Sequence, residues 1–300
     1  MENRNKKKNG ILGIGVATMD IYINRGRMYP GGNEYNVACN ARMLGARAGF
    51  LCVFGNDVYG PLLEDTLTLC GVEVSHCHHE TGSSGYSLVE INEDGDRVFL
   101  DWNKQGVTDL HPVRFTQEEL EYVKSFQVAS AGRLSTVTPE RLRLLHENGV
   151  DICYDFHAVY SDEEIRRLSP YIQYGFFSCS HLTVPQIKAT LKLAVDSGCG
   201  LAVGTRGVET ILAYDGQNWY EQETFPVAQV VDALGAGDSY IGAFLVSYLT
   251  DSQRSEPRRI QTALEYAARH AASVVVKEGS IGIGYHARSA DKKDEETCCP

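Results

Sequence analysis

The chain has 300 residues, 43% hydrophobic and 22% charged, which is ordinary globular composition and enough for one large α/β domain or two smaller ones. A net charge of −11 argues against wrapping nucleic acid or lying on an anionic membrane, and no apolar run is long enough to cross a bilayer. The 9 cysteines, an odd number scattered through apolar segments, read as buried thiols of a reducing compartment; Lys6-Lys7-Lys8 precedes only a short strand-like run, so no secretory signal and a cytoplasmic protein are expected.

Residues 1–8 and 289–300 read as polar tails, the second ending in an exposed Cys298-Cys299-Pro300 that is not a prenylation signal. Residues 11–16 form a short apolar run closed by small residues, a buried strand. Residues 33–44 carry apolar side chains at helical spacing. A strand at 49–54, a helix at 61–69 and the start of another strand at 72–74 follow. Further on, 151–155, 174–178, 201–205 and 211–214 read as strands, with helices at 162–168 and 185–196 between the first three. That alternation predicts right-handed βαβ units and a mostly parallel sheet covered on both faces.

One stretch breaks the alternation. Residues 85–91 and 97–102 are β-rich and joined by 92–96, whose Asp94-Gly95 is a hairpin signature; 21–23 is a further candidate strand. Together they read as a small separate sheet able to cover a cleft. After Asp238 the pattern turns helical: Tyr240, Ile241, Phe244, Leu245, Tyr248 and Leu249 make one stripe, and 260–276 form a second long helix with Gly279 just beyond.

The chemistry concentrates in Asp232-Ala233-Leu234-Gly235-Ala236-Gly237-Asp238-Ser239, between a β-rich 227–231 and the helix from Tyr240. Glycines at a helix start leave the first amides uncovered, and those amides with the helix dipole favour a negative charge such as a transferring phosphoryl group. Asp238 is then placed to take a proton from a substrate hydroxyl. Taken alone, this turn reads more simply as a capped helix. The same holds for Gly31-Gly32-Asn33 with Asn36-Val37-Ala38, where two amides share a face and suit sugar hydroxyls, and for Gly55-Asn56-Asp57-Val58-Tyr59-Gly60.

In this order and at this separation, the three motifs resemble the PfkB, or ribokinase-like, carbohydrate kinases, from about residue 11 to about 284. Within the family, the stretch from Gly55 through Gly71-Val72-Glu73-Val74-Ser75-His76 to Asp96-Arg97-Val98-Phe99 is similar to the fructoselysine 6-kinases. The resemblance implies an α/β, Rossmann-type three-layer sandwich with a mostly parallel sheet and a β-sheet lid. The kinase domain would span residues 9–288, with lid segments at about 20–32 and 84–107. It implies ATP-dependent phosphorylation of a sugar hydroxyl, the C6 hydroxyl of a fructosamine such as fructoselysine. A kinase of fructose, ribose or a nucleoside, and a non-catalytic sugar- or nucleotide-binding regulator, stand as alternatives. Asp238 would be the base, and Gly235, Ala236 and Gly237 the anion hole. Asp20, Gly32, Asn33 and Asn36 would hold the sugar, and Trp102 would pack on the alkyl part of an amino-acid moiety. Thr205, Gly207, His270 and Gly279 would surround the nucleotide. MgATP is the implied cofactor, with no protein metal ligand assigned and a monovalent cation left open. The lid allows a homodimer.

Three positions depart from the family pattern: Ala233 replaces a threonine, Thr210 a glycine of the nucleotide loop, and Ser180-His181-Leu182-Thr183 an Asn-x-x-Glu that organises magnesium. Magnesium is then expected on ATP phosphates and waters. Four other features are set aside. His76, Cys77, His78 and His79 lack a second ligand cluster at zinc spacing. Gly13-x-Gly15 lacks the third glycine of a dinucleotide fingerprint, and Asp20 follows too soon. Arg133 and Lys104 could touch an anionic part of a substrate, but such residues are mostly solvated surface charges.

Overall fold

The computed structural model describes residues 10–91, 97–104 and 106–287. The 92–96 turn, both predicted tails, Cys298 and Cys299 lie outside them.

The chain starts with β1 (Ile11–Ile14), then β2 (Thr18–Tyr22) and β3 (Arg27–Gly31). Helix α1 (Asn33–Met43) leads to β4 (Ala48–Leu51) and β5 (Val53–Gly55). Next come α2 (Tyr59–Leu69), β6 (His78–Glu80), β7 (Gly85–Ile91) and β8 (Arg97–Trp102). The middle of the chain holds α3 (Val107–Leu110), α4 (Gln117–Lys124), β9 (Val128–Gly132), α5 (Pro139–Glu147) and β10 (Asp151–Asp155). It continues through α6 (Asp162–Leu168), β11 (Tyr174–Ser178), α7 (Val184–Asp196), β12 (Leu201–Thr205), β13 (Ile211–Tyr214) and β14 (Trp219–Gln222). Helices α8 (Ala236–Thr250) and α9 (Glu256–Val274) and the short β15 (Tyr285–His286) finish it.

Eight strands form the main sheet in the order β14-β13-β12-β11-β10-β9-β1-β4. From β4 to β12 neighbours are parallel; β13 and β14 add antiparallel. Successive residues of each strand feed opposite faces, as the pleat requires. Ile11, Phe50, Cys153 and Val203 pack with α1, α8 and α9, while Leu12, Leu51, Ile152 and Ala202 pack with α5, α6 and α7. The three-layer α/β sandwich expected from the alternation is present.

The predicted lid is a five-stranded sheet in the order β15-β3-β2-β7-β8. β3 and β15 were not read from sequence. Three expectations need correction. The strand at 49–54 is split at Cys52 into β4, in the main sheet, and β5, which pairs with β6. No strand begins at 72–74; Glu73 makes one isolated bridge to Gly49, and the next strand is β6. The β-rich 227–231 is not a strand: it runs past the C-terminal end of α9, where the Val275 carbonyl takes the amides of Val231 and Asp232, and Val227 and Val230 line a cavity instead of a sheet.

Candidate active site

Three chain segments converge at the carboxyl end of the parallel strands, where open α/β sheets leave a crevice. Helix α8 begins at Gly235, left-handed at φ 71°, where a Cβ would meet Ser280 at 2.1 Å. Glycine is therefore required on both conformational and steric grounds. The Ala236 amide is tied to the Ala233 carbonyl at 3.2 Å. The Gly237 and Asp238 amides are the next positions of the helix start and have no intrahelical acceptor. A Cβ on Gly237 would meet nothing within 4 Å, so the backbone there borders open space.

Asp238 is buried and held by two amide side chains from the first turn of α1: Asn33 Nδ2 donates to Oδ1 at 3.0 Å and Asn36 Nδ2 to Oδ2 at 2.8 Å. The spacing of three residues, read above as one helical face for a sugar, puts both amides on Asp238. Burial pushes the Asp238 carboxyl up to about 7; the Asn36 and Asn33 donors pull it down, and the Asp155 and Asp20 charges raise it further. The α8 dipole also favours the carboxylate.

Asp155 and His157, at the end of β10, complete this end of the cavity. His157 is left-handed at φ 60°, an uncommon conformation for a side-chain-bearing residue. Its amide donates to Asp155 Oδ1 at 2.8 Å, and its Nε2 lies 2.8 Å from Asn33 Nδ2. Burial raises the Asp155 carboxyl above its ordinary value, with nearby His157 opposing. Glu34, wholly buried beneath, is raised well above a normal carboxyl, first by desolvation and then by the charges of Asp238 and Asp155.

Asp20, on β2, accepts a hydrogen bond from Ser87 of β7 and faces the same space. Together these groups line a cavity of about 480 Å³, closed on the lid side by Phe99, Trp102 and Lys104. Gly32, at φ 115°, carries no side chain because a Cβ would strike the Val16 carbonyl at 2.3 Å. A second cavity of about 340 Å³ is lined by Thr205 and Gly207, by Val227 and Val230, and by Ala268, Ala271, Ala272 and Val275 along and beyond α9. Ser178, Ala233 and Gly237 line both cavities, so the spaces meet at the α8 turn.

The structure therefore brings together Asp20, Gly32, Asn33, Asn36, Trp102, Gly235, Gly237 and Asp238 around one cavity, and Thr205, Gly207, Ala236 and Gly237 around the other. His270 is not in the second cavity; its Nε2 lies 2.8 Å from Asn40 Oδ1, while Ala271 and Ala272 of the same helix line the space. Gly279 stands behind the turn, its amide donating to Asp232 Oδ2 at 2.9 Å. Thr183 and Gln186 form a helix cap for α7, and Ser180 borders the second cavity. Among the described residues no group of three or more His, Cys, Asp or Glu side chains could hold a metal. Arg133 pairs with Glu164 away from the cavity, whereas Lys104, set aside on sequence grounds, lines it. Asp155, His157 and Ser87 were missed because no local motif marks them. No described helix is long and apolar enough to cross a membrane.

Comparison with known proteins bears on this geometry. The sequence pattern described as "pfkB family carbohydrate kinase" matches residues 13–286. The chain is 29% identical over 289 residues to the fructosamine kinase FrlD of Bacillus subtilis, covering 95% of this chain and 98% of that one. It is 30% identical over 242 residues to the fructoselysine 6-kinase of Escherichia coli, covering 78% and 87%. Among solved structures it is similar to an Arabidopsis thaliana ribokinase complexed with ribose and ATP, with a TM-score of 0.78, 22% identity, and 91% and 94% of the two chains covered.

Proposed function

Since the chain belongs to the pfkB family of carbohydrate kinases and is an ATP-dependent sugar kinase, we propose that it phosphorylates the C6 hydroxyl of a fructosamine such as fructoselysine. The observation that carries the mechanism is the meeting of two cavities at Gly237, with Asp238 buried beside them. The sugar occupies the cavity of Asp20, Asn33 and Asn36. The nucleotide occupies the mostly apolar cavity along α9, where small alanines and valines leave room for a flat base.

Asp238 accepts the proton of the attacking hydroxyl. A base with pKa near the operating pH balances the fraction ionised against basicity. Asn33 and Asn36 hold the carboxylate from behind and fix its orientation, while Asp20 orients the other hydroxyls; such positioning supplies much of the rate in phosphoryl transfer. The Gly237 and Asp238 amides, at the α8 start, stabilise charge that develops on the transferring group. The second cavity is lined by Ser178, Ser180, Thr205 and Thr224 and, among the described residues, by no carboxylate, so magnesium would arrive on the nucleotide and keep its waters. ATP itself supplies the phosphoryl group.

The outer edge of β8 supports a homodimer through the lid. β8 is the end strand of its sheet, and Val98 and Leu100 on it are 42% and 48% exposed, an apolar edge that proteins ordinarily cover.

The substrate test is a panel of kcat/KM values for fructoselysine, other fructosamines, fructose, ribose and adenosine. The fructosamines should lead. A tenfold advantage for a plain sugar or a nucleoside would remove the fructosamine assignment.

A further inference from the structure

We propose that Lys104 is a specificity-determining residue that binds a carboxylate carried at the far end of the substrate's substituent, so that the preferred substrates are zwitterionic glycated amines with a free carboxylate. This rests on the fructosamine reading above and deepens it.

The cavity is electrically lopsided. Asp20, Asp155 and Asp238 line it, and among the described residues Lys104 is its only lysine or arginine. A protonated secondary amine and the hydroxyls of a ketose-derived sugar suit the carboxylates. An anion would be repelled by them and has one cationic partner, on the lid side.

Lys104 is also built into place. Its backbone is left-handed at φ 59°, costly for any residue with a Cβ and kept only where the surroundings impose it. The surroundings do so. Asn103 accepts the Tyr86 amide at 2.8 Å and donates to the Ser84 carbonyl at 2.7 Å, clamping the end of β8 to the start of β7. On the other side Gly106, at φ 56°, lies so close to Ser83 that a Cβ would meet the Ser83 carbonyl at 2.2 Å. Lys104 is exposed and makes no ion pair among the described residues, in a chain of net charge −11 with ample acids.

Position sets the chemistry of the spacer. Asp20 is registered against Ser87, and Ser87 against Trp102, so these three lie in one row across the lid. Two strand spacings put Trp102 about 10 Å from Asp20, and Lys104 lies beyond it. A substituent running from the sugar to Lys104 passes the Phe99 and Trp102 rings, which are 61% and 57% exposed and offer an apolar wall. An alkyl spacer ending in a carboxylate fits that path; a carboxylate on the carbon next to the amine would stop among the acids.

The test compares fructoselysine with fructosyl-cadaverine, the same molecule without its carboxylate. In the wild type the kcat/KM ratio should favour fructoselysine by about three- to tenfold, the range for a charge pair at a partly exposed site. Lys104→Met should bring the ratio to about one through KM, Lys104→Arg should restore it, and Lys104→Glu should invert it. A wild-type ratio of one, or a ratio unmoved by Lys104→Met and Lys104→Glu, would overturn this assignment and leave the fructosamine reading standing. Turnover of plain fructose with neither amine phosphorylated would overturn both.

Discussion

The hydroxyl of Tyr22, on a lid strand, donates to Asp232 Oδ2 at 3.2 Å, at the head of the turn that leads into α8. The same oxygen takes the Gly279 amide, and Oδ1 takes the Leu234 amide at 2.8 Å. One buried carboxylate thus ties the lid to the loop that carries the Gly237 amide. Nearby, Tyr29 of β3 donates to Glu278 at 2.5 Å, a second tie of the same kind.

Tyr22→Phe should loosen this coupling and leave the fold intact, because the ring remains buried against Tyr29. Hydrogen bonds to charged groups contribute about 1.5–3 kcal/mol. The strengthening of sugar affinity by a bound non-hydrolysable ATP analogue should therefore fall by about tenfold or more, read by calorimetry with and without the analogue. Unchanged coupling in a folded Tyr22→Phe protein would show that the lid and the turn act independently.

Asp238→Asn should lower turnover by about 10²–10⁴, the usual cost of a general base. It should also stabilise the protein at alkaline pH. The folded carboxyl titrates at about 7 against 3.8 ordinarily, so between those values the native state keeps a proton that the unfolded chain has lost. Stability then falls as pH rises from about 4 and the loss is complete above about 7, where three pKa units amount to about 4 kcal/mol. The wild-type kcat/KM should rise through a limb near pH 7. A higher Tm for Asp238→Asn than for wild type at pH 8, with the difference vanishing near pH 4, checks the sign.

Much of this arrangement was legible in the sequence because it is local. The buried strands β10 to β13 are short apolar runs between turns, and the α8 start shows itself as two glycines and an acid. What was not legible is long-range. Asp155-Phe156-His157 has no signature; it becomes part of the site because parallel pairing sets the end of β10 where His157 meets Asn33 of α1 and shares a cavity with Asp238 of α8. His270, expected beside the nucleotide, meets Asn40 instead, while its helix neighbours Ala271 and Ala272 line the second cavity. The valines at 227–231 were read as a strand because β-branched residues report a half-buried extended chain, and a cavity wall meets that description as well as a sheet does.

Replacing Val98 and Leu100 together by lysine should produce a monomer if the lid edge pairs two copies. Charged side chains, lysine above all, are how natural edges avoid pairing. Light scattering coupled to size exclusion reads the outcome, and a wild-type protein that is monomeric at micromolar concentration would end the dimer proposal.

Glu34 presents a separate test of the buried charge beneath the site. It is 1% exposed, and neither carboxyl oxygen has a hydrogen-bond partner among the described residues. Two glycines make room for it: a Cβ on Gly15 would meet Oε2 at 2.1 Å, and one on Gly132 would meet Oε1 at 2.8 Å. An unpaired buried ion costs several kcal/mol, so the carboxyl stays protonated well above its ordinary range. The native state therefore holds a proton through a pH window in which the unfolded chain has released it, and stability declines as pH rises across that window. Glu34→Gln keeps the shape and removes the titration. Its Tm should match wild type to within a few degrees near pH 4.5 and exceed it increasingly towards pH 9. Because Glu34 stays uncharged while Asp238 titrates, the kcat/KM limb of the variant should remain near pH 7. Parallel Tm curves for the two proteins from pH 4.5 to 9 would show that Glu34 is ionised or proton-bound alike in both states, and would refute the buried-acid account.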